Sequence, residues 1–176
     1  YIDSLNIDAD TLDGEQGSYY LDYNNFTNTP AGSGPTFLKL LSNNTTTDFN
    51  TGTNEAIPWD ALVINETGSA LSHSTSVNNT QIEINTTGYY RVTFNARLQS
   101  LSPRVAPQFG ILKNGSNLID GVRASHTYIR DASGHQESSN SVKQIIQCSA
   151  NDVIGVKSFQ LSNNNGTVTA PAGKSC

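Results

Sequence analysis

The amino-acid sequence predicts an all-β protein, an antiparallel jelly roll sandwich preceded by a short extended N-terminal connector. Apolar residues do not recur at helical spacing over any window of about eleven residues, whereas several short segments alternate apolar and polar residues. Residues that favour turns, chiefly Gly, Asn, Ser and Thr, separate these segments. A chain of 176 residues with 35% hydrophobic content can bury one sizeable core. We therefore predict an acidic connector over residues 1–35, and one head domain over residues 36–176.

The N-terminal part differs from the rest of the chain in charge. Residues 1–38 contain six of the fifteen acidic side chains and no Lys or Arg, and the remainder is nearly balanced. The segment TNTPAGSGPT, residues 27–36, has the composition of a joint between these two parts. No basic patch suited to phosphate groups occurs, so we expect no nucleic-acid partner. No apolar run is long enough to cross a bilayer, so we expect no membrane insertion.

The segment GYYRVTFNARL, residues 88–98, is the clearest strand. Side chains point alternately to the two faces of a strand, so every second residue shares a face. One face collects the residues that we expect in the core: Tyr90, Val92, Phe94, Ala96 and Leu98. The opposite face carries Tyr89, Arg91, Thr93, Asn95 and Arg97.

Seven further segments predict strands at intervals typical of an all-β domain: residues 36–42, 61–65, 80–85, 108–113, 121–129, 141–148 and 152–159. Asn114 and Gly115 suit a type I′ hairpin turn, because both of its central positions need positive φ. Further reversals of the chain are expected at residues 148–153 and 163–167. The final strand lies either within residues 166–172 or beyond Cys176.

The sequence contains no catalytic, metal or cofactor motif, so we expect no enzyme and no cofactor. The acidic run that starts at residue 8 fails as an EF-hand calcium loop, because Leu12, Asp13 and Tyr19 stand where Asp, Gly and Glu are needed. The three histidines form neither a His-x-His pair nor a His-Glu-x-x-His motif, and no Gly-x-Ser-x-Gly elbow occurs. Of the two cysteines, we expect Cys148 buried in a strand and Cys176 exposed, and the alternative is a single disulfide bridge between them.

The segment TTGYYRVTF resembles the central strand of the tumour necrosis factor and complement globular-head superfamily, with its Gly-x-Tyr-x-Val-x-Phe pattern. An upstream segment containing Phe49 and Trp59, the hairpin FGILKNG and the strand in SANDVIGVKS follow in the order of that family. The similarity spans roughly residues 36–170. It implies a jelly roll head that assembles as a threefold trimer.

The N-terminal stretch DADTLDGEQGSYYLDYNNFTNTP is similar to connector segments of bacteriophage tail fibres and other virion appendage proteins. Its Asp-Thr-Leu-Asp-Gly, Tyr-Tyr-Leu and Asn-x-Thr-x-Thr-Pro runs carry the match. Those proteins also assemble as threefold trimers, so both resemblances imply a homotrimer, with residues 1–35 as its connector and trimerisation segment. The residues that we expect at its interface are Leu12, Tyr19, Tyr20, Leu21, Tyr89, Arg91 and Arg97.

The segment SHTYIRDASGHQESSN, residues 125–140, is the best candidate for a receptor-binding loop, because loops on a rigid sandwich commonly carry binding groups. Its aromatic, charged and amide side chains could stack on and hydrogen-bond a sugar: His126, Tyr128, Arg130, Asp131, His135, Gln136 and Asn140. The alternative is a long solvated loop with Tyr128 and Ile129 in the core.

Together these features predict a virion structural protein, the trimeric head domain of a tail fibre or tail tip that attaches the phage to a glycan or protein on the host surface. The expected location is the virion, and the expected partners are other copies of the chain and other tail or baseplate proteins. Three alternatives stay open: a purely structural trimerisation or decoration module, a secreted complement-like binding module with occupied Asn-x-Ser/Thr sequons, and a glycan depolymerase.

Overall fold

The computed structural model describes residues 11–12, 15–16, 22, 35–53, 55–115, 117–118, 125–130, 133–161 and 165–171. The chain divides into two compact units, Tyr1–Pro35 and Thr36–Cys176.

In the first unit, the described backbone forms one antiparallel pair between β1, Thr11–Leu12, and β2, Glu15–Gln16. Three of the predicted interface residues lie outside the described residues: Tyr19, Tyr20 and Leu21. Only the backbone of the fourth, Leu12, is described. The trimerisation role of this segment therefore stays a prediction.

The described part of the second unit contains strands and turns. The strands are β3 (Phe37–Leu41), β4 (Glu55–Ala56), β5 (Ala61–Glu66), β6 (Leu71–Ser72), β7 (Gln81–Ile84), β8 (Gly88–Ser100), β9 (Pro107–Lys113), β10 (Asn117–Leu118), β11 (Ser125–His126), β12 (Glu137–Cys148), β13 (Val153–Gln160) and β14 (Val168–Thr169). None of the described residues belongs to a helix that could cross a membrane.

The strands form an antiparallel sandwich, which confirms the predicted fold class. The larger sheet has the order β10-β9-β13-β7-β6, with β11 also paired to β9 and β4 also paired to β13. The sheet that faces it across the core has the order β12-β8-β14. Strands β3 and β5 form a separate two-stranded ribbon.

Strand β8 has the alternation that its sequence predicts. Phe94, Ala96 and Leu98 are buried, and Tyr90 and Val92 are half-buried and pack against the same core. Strand β12 pairs with β8 in unbroken register over its full length. Because paired residues on adjacent strands share a face, the inward side chains of β12 extend the same apolar surface.

An aromatic cluster joins the two sheets at the centre of the core. The ring of Phe109 on β9 lies 5.0 Å from that of Phe94 on β8 and 5.8 Å from that of Phe49, measured between centroids. Trp59 meets Phe94 edge to face at 5.9 Å. Such tilted contacts add to the stabilisation from apolar burial. Phe109 therefore connects residues from several parts of the sandwich.

Cys148 is a free, buried cysteine at the end of β12, as the sequence predicts, and burial raises the pKa of its thiol. A buried thiol with a raised pKa is a poor nucleophile, so Cys148 serves the core. Cys176 lies outside the described residues.

One end of the sandwich, which we call the turn end, consists of residues 113–115 and 149–152. Asn114 and Gly115 have φ of 54° and 76°, which confirms the predicted positive φ at both positions. The register pairs Lys113 with Asn117, so three residues lie between these strands where a type I′ turn would leave two. Asn151 also has positive φ, at 72°.

The Asp152 carboxylate links the two turns at this end. It accepts hydrogen bonds from Asn114 Nδ2 at 2.8 Å and from the Ser149 amide at 2.7 Å, and it forms an ion pair with Lys113 Nζ at 2.6 Å. The bond to Lys113 and then the bonds to Asn114 and Ser149 lower the pKa of this carboxyl from 3.8 to about 2. Asn114 also accepts a hydrogen bond from the Val153 amide.

The prediction of one long loop over residues 125–140 is wrong, because this segment contains β11 and the start of β12. Strand β12 begins at Glu137, four residues before the predicted strand. Of the strand predicted over residues 121–129, the described part contains only β11 and a bridge between Val105 and Ile129. The predicted strand within residues 166–172 is present as β14, which pairs with β8.

Candidate binding surface

The end of the sandwich opposite the turn end is closed by a network of backbone hydrogen bonds. Val105 and Ile129 exchange two bonds of 3.1 and 2.9 Å, and the Thr127 amide donates to Pro107 O at 3.2 Å. The Ser100 amide donates to Gln136 O at 2.9 Å. The backbone around residues 127–130 is therefore held against the start of β9, much as an edge strand would be.

Alternation in this segment decides which side chains face solvent. Thr127 and Ile129 are buried, and Val105 opposite them is fully buried. His126, Tyr128 and Arg130 point the other way and are exposed, with Tyr128 at 53%. The backbone thus brings three of the predicted receptor-binding residues onto one surface.

The remaining predicted residues are placed differently. His135 is exposed and Gln136 is half-buried, whereas Asp131 lies outside the described residues. Asn140 lies on the inward face of β12 and is 5% exposed, and its Nδ2 donates to Ser125 Oγ at 3.1 Å. Because its side chain is turned into the sandwich, Asn140 is not available at this surface.

Two exposed residues of the β8–β9 connection complete what we call the tip surface, which comprises residues 101–104, 126, 128, 130, 135 and 136. Leu101 is 79% exposed, and Arg104 is exposed next to the buried Val105. The Arg104 amide donates to Arg130 O at 3.2 Å, so the two arginines are neighbours on adjacent segments of the chain. Only a weak indication of Arg104 is present in the sequence, as a single arginine in the segment SPRVAP.

The solvent-facing side of the β12-β8-β14 sheet, which we call the outer face, carries the other predicted interface residues. Tyr89, Arg91 and Arg97 are all exposed, Tyr89 at 74%. Ile145 on β12, opposite Arg91 and diagonal to Tyr89, is 69% exposed and extends the apolar area. Arg97 pairs with Glu137 across the strands, with Nε donating to Oε2 at 2.8 Å.

A second exposed apolar area lies on the ribbon of β3 and β5. Phe37, Leu62, Val63 and Ile64 are between 40% and 53% exposed. A cleft of about 190 Å³ adjoins the ribbon, and His73 lines it. Both ring nitrogens of His73 lie within 3.0 Å of main-chain oxygens, those of Gln81 and Trp59, so this histidine has a structural partner on each side.

Among the residues that the structure describes, no group of three or more His, Cys, Asp or Glu side chains could hold a metal ion. The exposed side chains of the tip surface offer charge, hydrogen bonding and aromatic contact.

Comparison with solved structures identifies the fold. Murine APRIL at pH 8.0 superposes with a TM-score of 0.50 and 14% identity, covering 78% of this chain and 92% of that one. Eiger TNF from S. frugiperda superposes with a TM-score of 0.50 and 10% identity, covering 81% of this chain and 89% of that one. The chain has a tumour necrosis factor-like jelly roll fold.

This likeness confirms the fold implied by the TTGYYRVTF resemblance and carries no further than the fold at such low identity. No family model matches the chain, and no curated protein matches it. The resemblance of the N-terminal stretch to phage appendage proteins therefore stays an expectation.

Proposed function

We propose that the chain forms the head of a homotrimeric virion appendage, a tail fibre or tail tip, and attaches the virion to the surface of a host cell. The observation that carries this proposal is the tip surface, where a hydrogen-bonded backbone presents His126, Tyr128 and Arg130 together. A rigid scaffold with exposed aromatic and cationic side chains suits recognition of a surface ligand.

The trimer is supported by the two exposed apolar areas. A ring with threefold symmetry uses two different patches on each copy, because each copy contacts its two neighbours in a head-to-tail manner. The outer face, with Tyr89 and Ile145, and the ribbon, with Phe37 and Ile64, supply two such patches on one unit. We propose that the outer face of one copy packs against the ribbon of the next.

Three identical tip surfaces on one trimer would raise avidity for a repetitive cell surface without any new contact. The other partners would be tail or baseplate proteins, and the place of action would be the virion. The proposed activity is binding alone, so the purified protein should not clear a layer of host polysaccharide. If it did, the depolymerase alternative would be favoured over an attachment head.

Two measurements test the proposal. Light scattering after size-exclusion chromatography should give about three times the chain mass of 18.9 kDa. The labelled protein should then adsorb to some members of a panel of bacterial strains and not to others. A trimer that adsorbs to none of the panel would favour the structural decoration module, and a monomer at micromolar concentration would remove the appendage model.

The second candidate is a secreted, complement-like binding module. It is favoured by the fold neighbours, murine APRIL and Eiger TNF from S. frugiperda, and by sequon asparagines that are exposed, including Asn65, Asn78 and Asn85. Expression in a eukaryotic secretory system with and without peptide N-glycosidase would reveal the expected mass shift. That shift on the natural source protein would decide for this candidate, because a phage product made in bacterial cytoplasm carries no such glycans.

A further inference from the structure

The backbone conformation of Arg104 is unusual for its residue type. Among the described non-glycine residues, four have positive φ: Asn78, Asn114, Asn151 and Arg104. Asparagine and glycine adopt this left-handed region readily, whereas arginine adopts it rarely. At φ of 61°, Arg104 thus occupies a position where asparagine or glycine would fold more easily.

The position of Arg104 adds a second unfavourable feature. The Val105–Ile129 bridge sets Arg104 opposite Arg130, with the Arg104 amide bonded to Arg130 O. Like charges opposite each other on paired strands are destabilising. Two features that disfavour folding thus coincide at one exposed arginine, and such coincidences are found at binding sites.

The neighbours of the two arginines indicate the class of ligand. Tyr128, between Ile129 and the buried Thr127, presents an exposed ring beside Arg130, and Leu101 adds exposed apolar surface. A guanidinium group binds a carboxylate or sulfate through a planar fork of donors, and an aromatic ring can lie against the apolar face of a sugar. This combination suits a sugar that bears an acidic group.

We propose that Arg104 and Arg130 bind the carboxylate or sulfate groups of an acidic polysaccharide, and that the ring of Tyr128 lies against its sugar ring. This inference rests on the proposed function, because it names the ligand of the same tip surface. A repeating polymer matches three equivalent sites on one trimer better than a single acidic protein does. The net charge of −5 disfavours unspecific attraction of a polyanion, so binding requires the local cationic site.

The test uses the full chain with three polymers of defined chemistry: polygalacturonate for carboxylate, dextran sulfate for sulfate, and dextran as the neutral control. We expect binding to at least one acidic polymer and none to dextran. Binding to polygalacturonate alone would identify carboxylate as the group, and binding to dextran sulfate alone would identify sulfate. Absence of binding to both acidic polymers would overturn the proposal.

The variants separate binding from folding. Arg104→Asn removes the guanidinium and suits the left-handed backbone, so we expect an unchanged or higher melting temperature and binding at least about tenfold weaker. Arg130→Gln should weaken binding to a similar degree. Lys157→Gln, which removes the same charge from β13, away from the tip surface, the outer face and the ribbon, should change neither the melting temperature nor the binding. If Arg104→Asn lowered the melting temperature and left binding unchanged, Arg104 would be a structural residue and the proposal would fail.

Adsorption to bacteria distinguishes this failure from that of the proposed function. If the wild type adsorbs to cells and both arginine variants adsorb equally well, attachment stands and the acidic-polysaccharide ligand is wrong. The same conclusion follows if protease treatment of the cells abolishes adsorption, since the receptor is then a protein. If the wild type adsorbs to no cells yet binds the acidic polymer through Arg104, the polysaccharide site stands and host attachment is wrong.

Discussion

The two ends of the sandwich close the same sheets in different ways. At the turn end, positive φ falls on Asn114, Gly115 and Asn151, residue types that adopt it easily, and the Asp152 carboxylate is hydrogen-bonded from three directions. At the tip surface, positive φ falls on Arg104, and Tyr128 and Leu101 are exposed to solvent. The turn end is arranged for stability, whereas the tip surface retains features that stability alone does not explain.

Phe109→Ala should have the largest effect, because it removes a fully buried ring that joins the two sheets. Phe109 is fully buried and contacts Phe49 and Phe94. We expect the free energy of unfolding to fall by about 3–5 kcal/mol, measured by urea denaturation. The control is Tyr128→Ala at the exposed tip, with an expected change within about 0.5 kcal/mol. Similar losses for the two variants would mean that Tyr128 belongs to the core.

Gly166→Ala should disturb the support beneath the tip surface. A Cβ at this position would lie 2.4 Å from both Ser102 Cβ and Val105 Cγ1, closer than packed atoms allow. We expect a loss of about 1–3 kcal/mol in the free energy of unfolding, from the displacement of Val105. Gly52→Ala is the matched control, since a Cβ there meets nothing within 4 Å. Equal stability of the two variants would show that the 102–105 segment shifts freely.

The Asp152 carboxylate at the turn end should make the stability of the fold depend on pH in the acid range. The pKa of Asp152 is lowered from 3.8 to about 2 in the folded protein, so this group stabilises the fold above pH 3.8. As the pH falls from about 4 towards 2, protonation removes that contribution. Asp152→Asn should therefore lower the melting temperature at pH 7 and flatten its decrease over this window. A variant whose melting temperature runs parallel to that of the wild type from pH 5 to pH 2 would contradict the assignment.

Ile145→Asp on the outer face should have the smallest effect on the fold of one subunit. The side chain is 69% exposed, so subunit stability should change by no more than about 0.5 kcal/mol. The trimer should dissociate, because three carboxylates would enter the proposed interface. Val77→Asp, at an exposed valine in the loop between β6 and β7, should leave the trimer intact. Light scattering on both variants is the measurement, and an intact Ile145→Asp trimer would place the interface elsewhere.

The regular parts of the sandwich could be predicted because apolar and polar side chains alternate along their strands. In β8, every second residue from Tyr90 to Leu98 is apolar, and the structure turns that set inward. The turn at Asn114 and Gly115 was equally accessible, because those residue types favour positive φ. Local sequence and tertiary structure agree in both places.

The start of β12 was missed because its sequence, ESSN, holds no apolar residue. Pairing with β8 imposes the strand there, and the inward position of Asn140 is filled by an amide that bonds to Ser125. Counting back in steps of two from the buried Val142 would have placed Asn140 inside. The tip surface was only half predicted for another reason: nothing in SPRVAP reveals that Arg104 has positive φ or that the chain pairing sets it beside Arg130.

The most direct test of the contrast between the two ends measures melting temperature and adsorption to host bacteria for Arg104→Asn and Asp152→Asn in parallel. We expect opposite effects from the two variants. Arg104→Asn should adsorb less and keep the melting temperature of the wild type. Asp152→Asn should have a lower melting temperature and adsorb normally at temperatures below its unfolding transition. If both variants lost adsorption only in proportion to their loss of folded protein, the tip surface would have no binding role of its own.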